Sequence, residues 1–97
     1  MVNELIIRER AYSSISKIAK HIHKEGYPDR AKKFYIDILV FANELKNTAD
    51  SFAVCRHNIF ANKNYKCVPY KKNYVVILSI KNHIVTIHNI IPAKKIR

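Results

Sequence analysis

The stretch that decides the fold is residues 65–91, YKCVPYKKNYVVILSIKNHIVTIHNII. Its β-branched and aromatic residues are interrupted by two polar breaks, Lys71-Lys72 and Lys81-Asn82-His83. This texture predicts three strands, at Tyr65–Tyr70, Asn73–Lys81 and Ile84–Ile91. Connections of two or three residues join only antiparallel neighbours, so we expect a three-stranded meander.

The last strand alternates in polarity, which predicts one covered side and one partly polar side. We expect Val85, Ile87 and Ile91 on the covered side, and Thr86, His88 and Ile90 on the other. Pro69 cannot donate to a strand ladder, so the strand that contains it is expected either at the sheet margin or at a bulge.

Two segments before the meander carry apolar residues at helical spacing. The first helix is expected at about Glu9–Lys24 and the second from Pro28 to about Lys46, with Gly26 ending the first. Two amphipathic helices joined by so short a connection pack as an antiparallel hairpin. The second helix is expected to bury three side chains against the sheet, namely Phe34, Ile38 and Leu45. Residues 52–62 could form either a loop or an irregular strand.

The chain length supports a single domain, residues 1–97, because 97 residues can bury only one core. With a short apolar strand at Leu5–Ile7, the expected fold is α+β, a helix hairpin packed on a curved antiparallel sheet. No run approaches the roughly 18 apolar residues that a membrane span needs. Cys55 and Cys67 form no C-x-x-C pair, which favours a reduced, cytoplasmic setting. Together with His57 they lack a fourth ligand, so neither zinc nor another cofactor is expected.

The positive charge is concentrated in the second half of the chain. Residues 1–51 hold nine Lys/Arg and seven Asp/Glu, a net charge of +2. Residues 52–97 hold nine Lys/Arg and no carboxylate, a net charge of +9. A chain half whose charged residues are all positive attracts nucleic acid, an acidic protein segment or an anionic surface.

The order of these elements, a strand, a helix hairpin and a meander, resembles the RelE/ParE toxin superfamily. The local patterns that agree are Ile15–Ile22, Tyr27–Ala31, Leu45, Tyr65-Lys66, Asn73–Val76, Ile84–Ile87 and Lys94-Lys95. The resemblance covers nearly the whole chain. It implies the toxin component of a type II toxin–antitoxin system of the plasmid-stabilisation type, silenced by an antitoxin, with a heterotetramer as the assembly that the resemblance suggests.

The resemblance implies two alternative targets. RelE-like members cut messenger RNA inside the ribosome, with basic residues along the first two meander strands and a catalytic Tyr or His after the last strand. This chain keeps only Lys66 of the basic pattern, has Val75 at the Arg position, and ends in Lys95-Ile96-Arg97. It therefore resembles the ParE branch more closely, whose members poison DNA gyrase. A non-toxic basic nucleic-acid-binding module is the remaining alternative.

The residue types also indicate candidate sites. A ribonuclease needs groups for proton transfer and cations for the phosphorane charge, and here these would be Lys66, His88, Lys94 and Lys95. If the protein acts by binding instead, an acidic antitoxin is expected to cover the basic half. The expected contact residues are Tyr65, Lys66, Tyr70, Lys71, Lys72, Lys94, Lys95 and Arg97.

Overall fold

The computed structural model describes residues 4–48 and 63–96, with the side chains of residues 95 and 96 excepted. The elements are β1 (Glu4–Ile7), α1 (Glu9–Lys24), α2 (Pro28–Thr48), β2 (Lys66–Tyr70), β3 (Tyr74–Lys81) and β4 (Ile84–Pro92), followed by a 3₁₀ turn at Ala93–Ile96. The α+β architecture is confirmed. The ambiguous residues 52–62 lie outside the described part of the chain.

Gly26 separates the two helices as its position predicts. Its φ of +98° lies in the left-handed region, where a residue without a Cβ is unstrained. The amide of Gly26 donates to the carbonyl of His23 and closes the end of α1. Because the chain turns here within three residues, α1 and α2 pack against each other as the expected hairpin.

The sheet has the strand order β1-β4-β3-β2. β2, β3 and β4 form the expected antiparallel meander, but β1 pairs with β4 in parallel, from Glu4 opposite Ile84 to Ile7 opposite Ile87. The sheet is therefore mixed, whereas the sequence predicted an antiparallel one. The sequence of a four-residue strand does not indicate which strand it pairs with or in which direction. Both depend on where the helix hairpin places the following strands relative to β1. Pro69 lies on the edge strand β2, as predicted.

The core lies between the helix hairpin and one face of the sheet. Phe34, Ile38 and Leu45 of α2 are buried there, which confirms the predicted stripe. They pack against the aliphatic residues of the three meander strands, among them Val68, Val76, Leu78 and Val85. None of the described helices is long and apolar enough to cross a membrane.

A β-bulge in β4 changes the predicted sides of that strand. Ile77 pairs with Asn89 and Leu78 with Ile87, so His88 is an extra residue in β4. The extra residue shifts the alternation by one, and Ile90 joins the core while Ile91 packs on the opposite face. The predicted sides of Ile90 and Ile91 were therefore wrong, because simple alternation takes no account of a bulge.

Candidate functional site

The bulge presents His88 on the sheet face away from the helices, which we call the outer sheet face. The imidazole stacks on the ring of Tyr65, with centroids 4.2 Å apart and planes 14° from parallel. Its Nε2 lies 2.8 Å from the Oγ of Ser79, in a hydrogen bond whose donor depends on the tautomer. His88 is therefore held by an aromatic ring and a hydroxyl group in one orientation.

Asn89, the next residue, stabilises the bulge through its side-chain oxygen. Its Oδ1 accepts a hydrogen bond from the amide of Ile90 at 2.9 Å and one from the hydroxyl of Ser14 at 2.5 Å. The first satisfies a backbone donor that lies next to the register shift, and the second ties β4 to α1. These two bonds fix the local geometry on which the position of His88 depends.

Two cations act on His88. Burial is the main cause that lowers the pKa of His88 below its ordinary value, and the positive charges of Arg8 and Lys63 lower it further. The imidazole is therefore mainly neutral at pH 7.

A cleft of about 640 Å³ opens beside His88, lined by Arg8, Glu9, Arg10, Lys63, Tyr65, Ile77, His88 and Asn89. We call it the His88 cleft.

The expected catalytic set is not assembled around this cleft. Lys66 pairs with Leu78, whose side chain is in the core, and directly opposed residues share a face. Lys66 therefore lies on the other side of the sheet from His88. Lys94 lines a separate groove beside Lys17 and Lys72, and the side chain of Lys95 is outside the described part of the chain.

A second concave region lies between the helices and the β2–β3 turn. It consists of two adjoining hollows of about 530 and 520 Å³ that share His21, Asn73 and Tyr74. Six cationic residues line the two hollows, with Glu25 as the one carboxylate among the lining residues. They are Lys17, Lys72 and Lys94 in the first hollow and Arg30, Lys33 and Lys71 in the second. We call the two hollows together the basic groove.

The floor of the basic groove is apolar. Ile18, Tyr74 and Pro92 contribute to the first hollow, and Ile22 and Phe34 to the second. Cations around an apolar floor match a segment that presents aliphatic side chains on one side and carboxylates on the other. The groove therefore has the chemistry to bind an acidic amphipathic segment.

The expected partner-binding residues divide among three locations. Lys71, Lys72 and Lys94 line the basic groove, while Tyr65 belongs to the His88 cleft. Tyr70 is only 6 % exposed, because it packs on Phe41 and Phe34 with ring centroids 4.7 and 6.3 Å away. Burial, and then the charge of Asp37, raises the pKa of Tyr70. Tyr70 is therefore a core residue, and the expected Arg97 contact falls outside the described residues.

Sequence reasoning did not assign Arg8 to the His88 cleft, nor Lys17, Arg30 and Lys33 to the basic groove. Arg8 precedes the first helix and Lys63 precedes the meander, and no sequence pattern connects positions so far apart in the chain. Cys67 is disulfide-bonded, contrary to the reduced thiols expected from its spacing. Within residues 4–48 and 63–96 no three His, Cys, Asp or Glu residues come together in a group that could hold a metal ion.

Comparison with known proteins identifies a similar fold. A solved structure described as the chromosomal ParDE TA system from P. aeruginosa matches 94 % of this chain and 96 % of its own chain, with a TM-score of 0.79 and 16 % sequence identity. No protein-family model matches the sequence. No curated protein matches it either. At this level of identity the likeness concerns the fold.

Proposed function

We propose that this chain is the toxin component of a toxin–antitoxin pair and that it arrests growth by binding DNA gyrase. The observation that carries the proposal is the fold, which matches a chain of a ParDE TA system over 94 % of this chain's length. The order of elements and the local sequence patterns shared with the RelE/ParE superfamily support the same assignment independently of the structure. A fold shared over nearly the whole of both chains is what a common molecular role would require.

A binding mechanism is supported by the scattered positions of the basic residues. Lys66, His88 and Lys94 lie at three different places, so they cannot act together on one phosphodiester. The basic groove is made of two adjoining hollows, and such an elongated hollow is suited to holding a polypeptide. Gyrase inhibition by contact needs a stable surface and no proton transfer.

The silencing partner in this proposal is an acidic antitoxin whose flexible segment folds into the basic groove. Six cations and one carboxylate line that groove, so a carboxylate-rich segment would be attracted and would relieve repulsion among the lysines. Apolar side chains of the segment would contact the floor around Tyr74. Such a complex weakens as salt rises but persists, because the apolar contacts are not screened.

A ribosome-dependent endoribonuclease is the second candidate, and the His88 cleft is the observation that favours it. A neutral His88 could accept the proton of an attacking 2′-hydroxyl, while Arg8 and Lys63 could stabilise the charge on the phosphorane. The stacked Tyr65 would fix the imidazole plane. This constellation differs from the one that the sequence indicated, since Lys66 and Lys94 take no part in it.

Induced expression in a bacterial host tests the proposal. We expect growth arrest, altered supercoiling of a reporter plasmid and intact messenger RNA. Co-expression of a short acidic protein encoded beside this chain should restore growth. Normal growth at full expression of folded protein would favour the non-toxic binding module, and growth arrest with cleaved messenger RNA would favour the nuclease.

A further inference from the structure

The outward side of α2 carries two aliphatic side chains that are not packed into the core of the monomer. Ile36 is 51 % exposed and Val40 54 %, and they lie one helical turn apart. The buried residues of the same helix, such as Phe34 and Ile38, point to the opposite side. Single exposed aliphatics are common, but two at i and i+4 at the centre of a 21-residue helix form a small contact site.

Charged residues flank this pair with opposite signs. Lys32 lies one turn before Ile36, and Glu44 lies one turn after Val40. Both are exposed, and neither forms an ion pair with another described residue. Lys32, Ile36, Val40 and Glu44 together define what we call the outer α2 face.

We propose that the outer α2 face binds a second copy of this chain as an antiparallel helix pair. A two-fold axis midway between residues 36 and 40 brings Ile36 of one copy against Val40 of the other, and each Lys32 against the other copy's Glu44. The contact is self-complementary, as a two-fold interface must be. A parallel pair would instead place Lys32 against Lys32 and Glu44 against Glu44, which is repulsive.

The distribution of charge over the molecule allows this arrangement. The chain carries +11, which opposes self-association in general. Residues 1–51, which include α2, carry only +2, whereas residues 52–97 carry +9. Pairing through α2 keeps the strands β2, β3 and β4 of the two copies apart, and the His88 cleft stays on the sheet face away from the helices. The inference is therefore independent of the proposed function.

The dimer should be weak. A helix of 21 residues is about 31 Å long, and a single helix–helix seam buries less than the roughly 800 Å² per partner of a standard interface. We therefore expect dimers at concentrations of tens of micromolar and above, at low salt.

Sedimentation velocity of the purified chain from about 1 µM to about 1 mM tests the inference. Lys32→Glu and Glu44→Lys should each weaken the dimer about tenfold, since each reverses two symmetric charge pairs. The double variant restores both pairs with their charges exchanged, and it should recover wild-type dimerisation. Lys20→Glu on α1 and Glu4→Lys on β1, both at exposed positions outside the outer α2 face, change the net charge equally and serve as controls.

Three results would overturn the inference. One is a wild-type protein that stays monomeric up to about 1 mM, which would leave the outer α2 face to a different partner. The second is a dimer that responds to the control variants as it does to Lys32→Glu and Glu44→Lys, which would place the contact elsewhere. The third is a double variant that is no better than the single ones.

Discussion

Replacing Ile38 by Ala tests the packing of α2 against the sheet. The side chain is 2 % exposed and lies in the core cluster, so the substitution removes three buried carbon atoms. At about 0.8 kcal/mol per buried carbon the transfer contribution is about 2.4 kcal/mol, and the remaining cavity raises the loss to about 2–5 kcal/mol. A domain of this size is stable by only about 5–15 kcal/mol. The variant should therefore lose a large fraction of its stability.

Urea unfolding followed by circular dichroism measures this loss. With a slope of about 1 kcal/mol per molar urea, the midpoint should fall by about 2 M or more. Ile36→Ala is the matched control, because it deletes the same atoms where the side chain is 51 % exposed, and it should cost no more than about 1.2 kcal/mol, half of the transfer contribution at Ile38. Both are measured at about 1 µM protein, to keep self-association out of the comparison. Equal effects at the two positions would refute the assignment of Ile38 to the core.

Three further predictions concern the two concave sites. His88→Ala should leave growth arrest intact if the toxin acts by binding, and loss of toxicity in a protein of unchanged melting temperature would contradict this. In an NMR pH series, the pKa of the His88 imidazole should lie below its ordinary value of about 6.5. The free energy of unfolding should then fall as the pH drops below about 6.5, because the unfolded chain binds the proton before the folded chain does. A titration midpoint above about 6.5 would show that Arg8 and burial do not lower the pKa of His88. Reversing Lys72 and Lys94 to Glu should slow association with the antitoxin about tenfold at low salt and much less at high salt, with Lys20→Glu as the control, and an unchanged rate at low salt would place the antitoxin outside the basic groove.

Much of the fold follows from local patterns in the sequence. Helical spacing of apolar residues gave α1 with its limits and α2 to within two residues, because each helix must bury one face. Gly26 marked the hinge, since the left-handed turn needs a residue without a Cβ. The short polar connections at Lys71 and Asn82 predicted the meander, because connections of this length can join only antiparallel neighbouring strands.

The candidate sites depend on features that local patterns do not carry. The bulge at His88 decides which residues of β4 face outward, and it depends on the hydrogen bonds of Asn89 to Ile90 and Ser14. Arg8 approaches His88 only because β1 pairs with β4 in parallel. Tyr70 precedes two lysines, which is typical of a surface aromatic residue, yet its ring is buried in the core. Each of these outcomes depends on a tertiary contact between distant parts of the chain.

The most direct test of the proposed function is a supercoiling assay with purified DNA gyrase, relaxed plasmid and this protein. We expect the wild-type chain to inhibit supercoiling, His88→Ala to inhibit it equally, and the antitoxin to relieve the inhibition. A parallel translation reaction should leave its messenger RNA intact. Full gyrase activity at saturating toxin, together with messenger RNA cleavage that His88→Ala abolishes, would contradict the account and assign the toxicity to the His88 cleft.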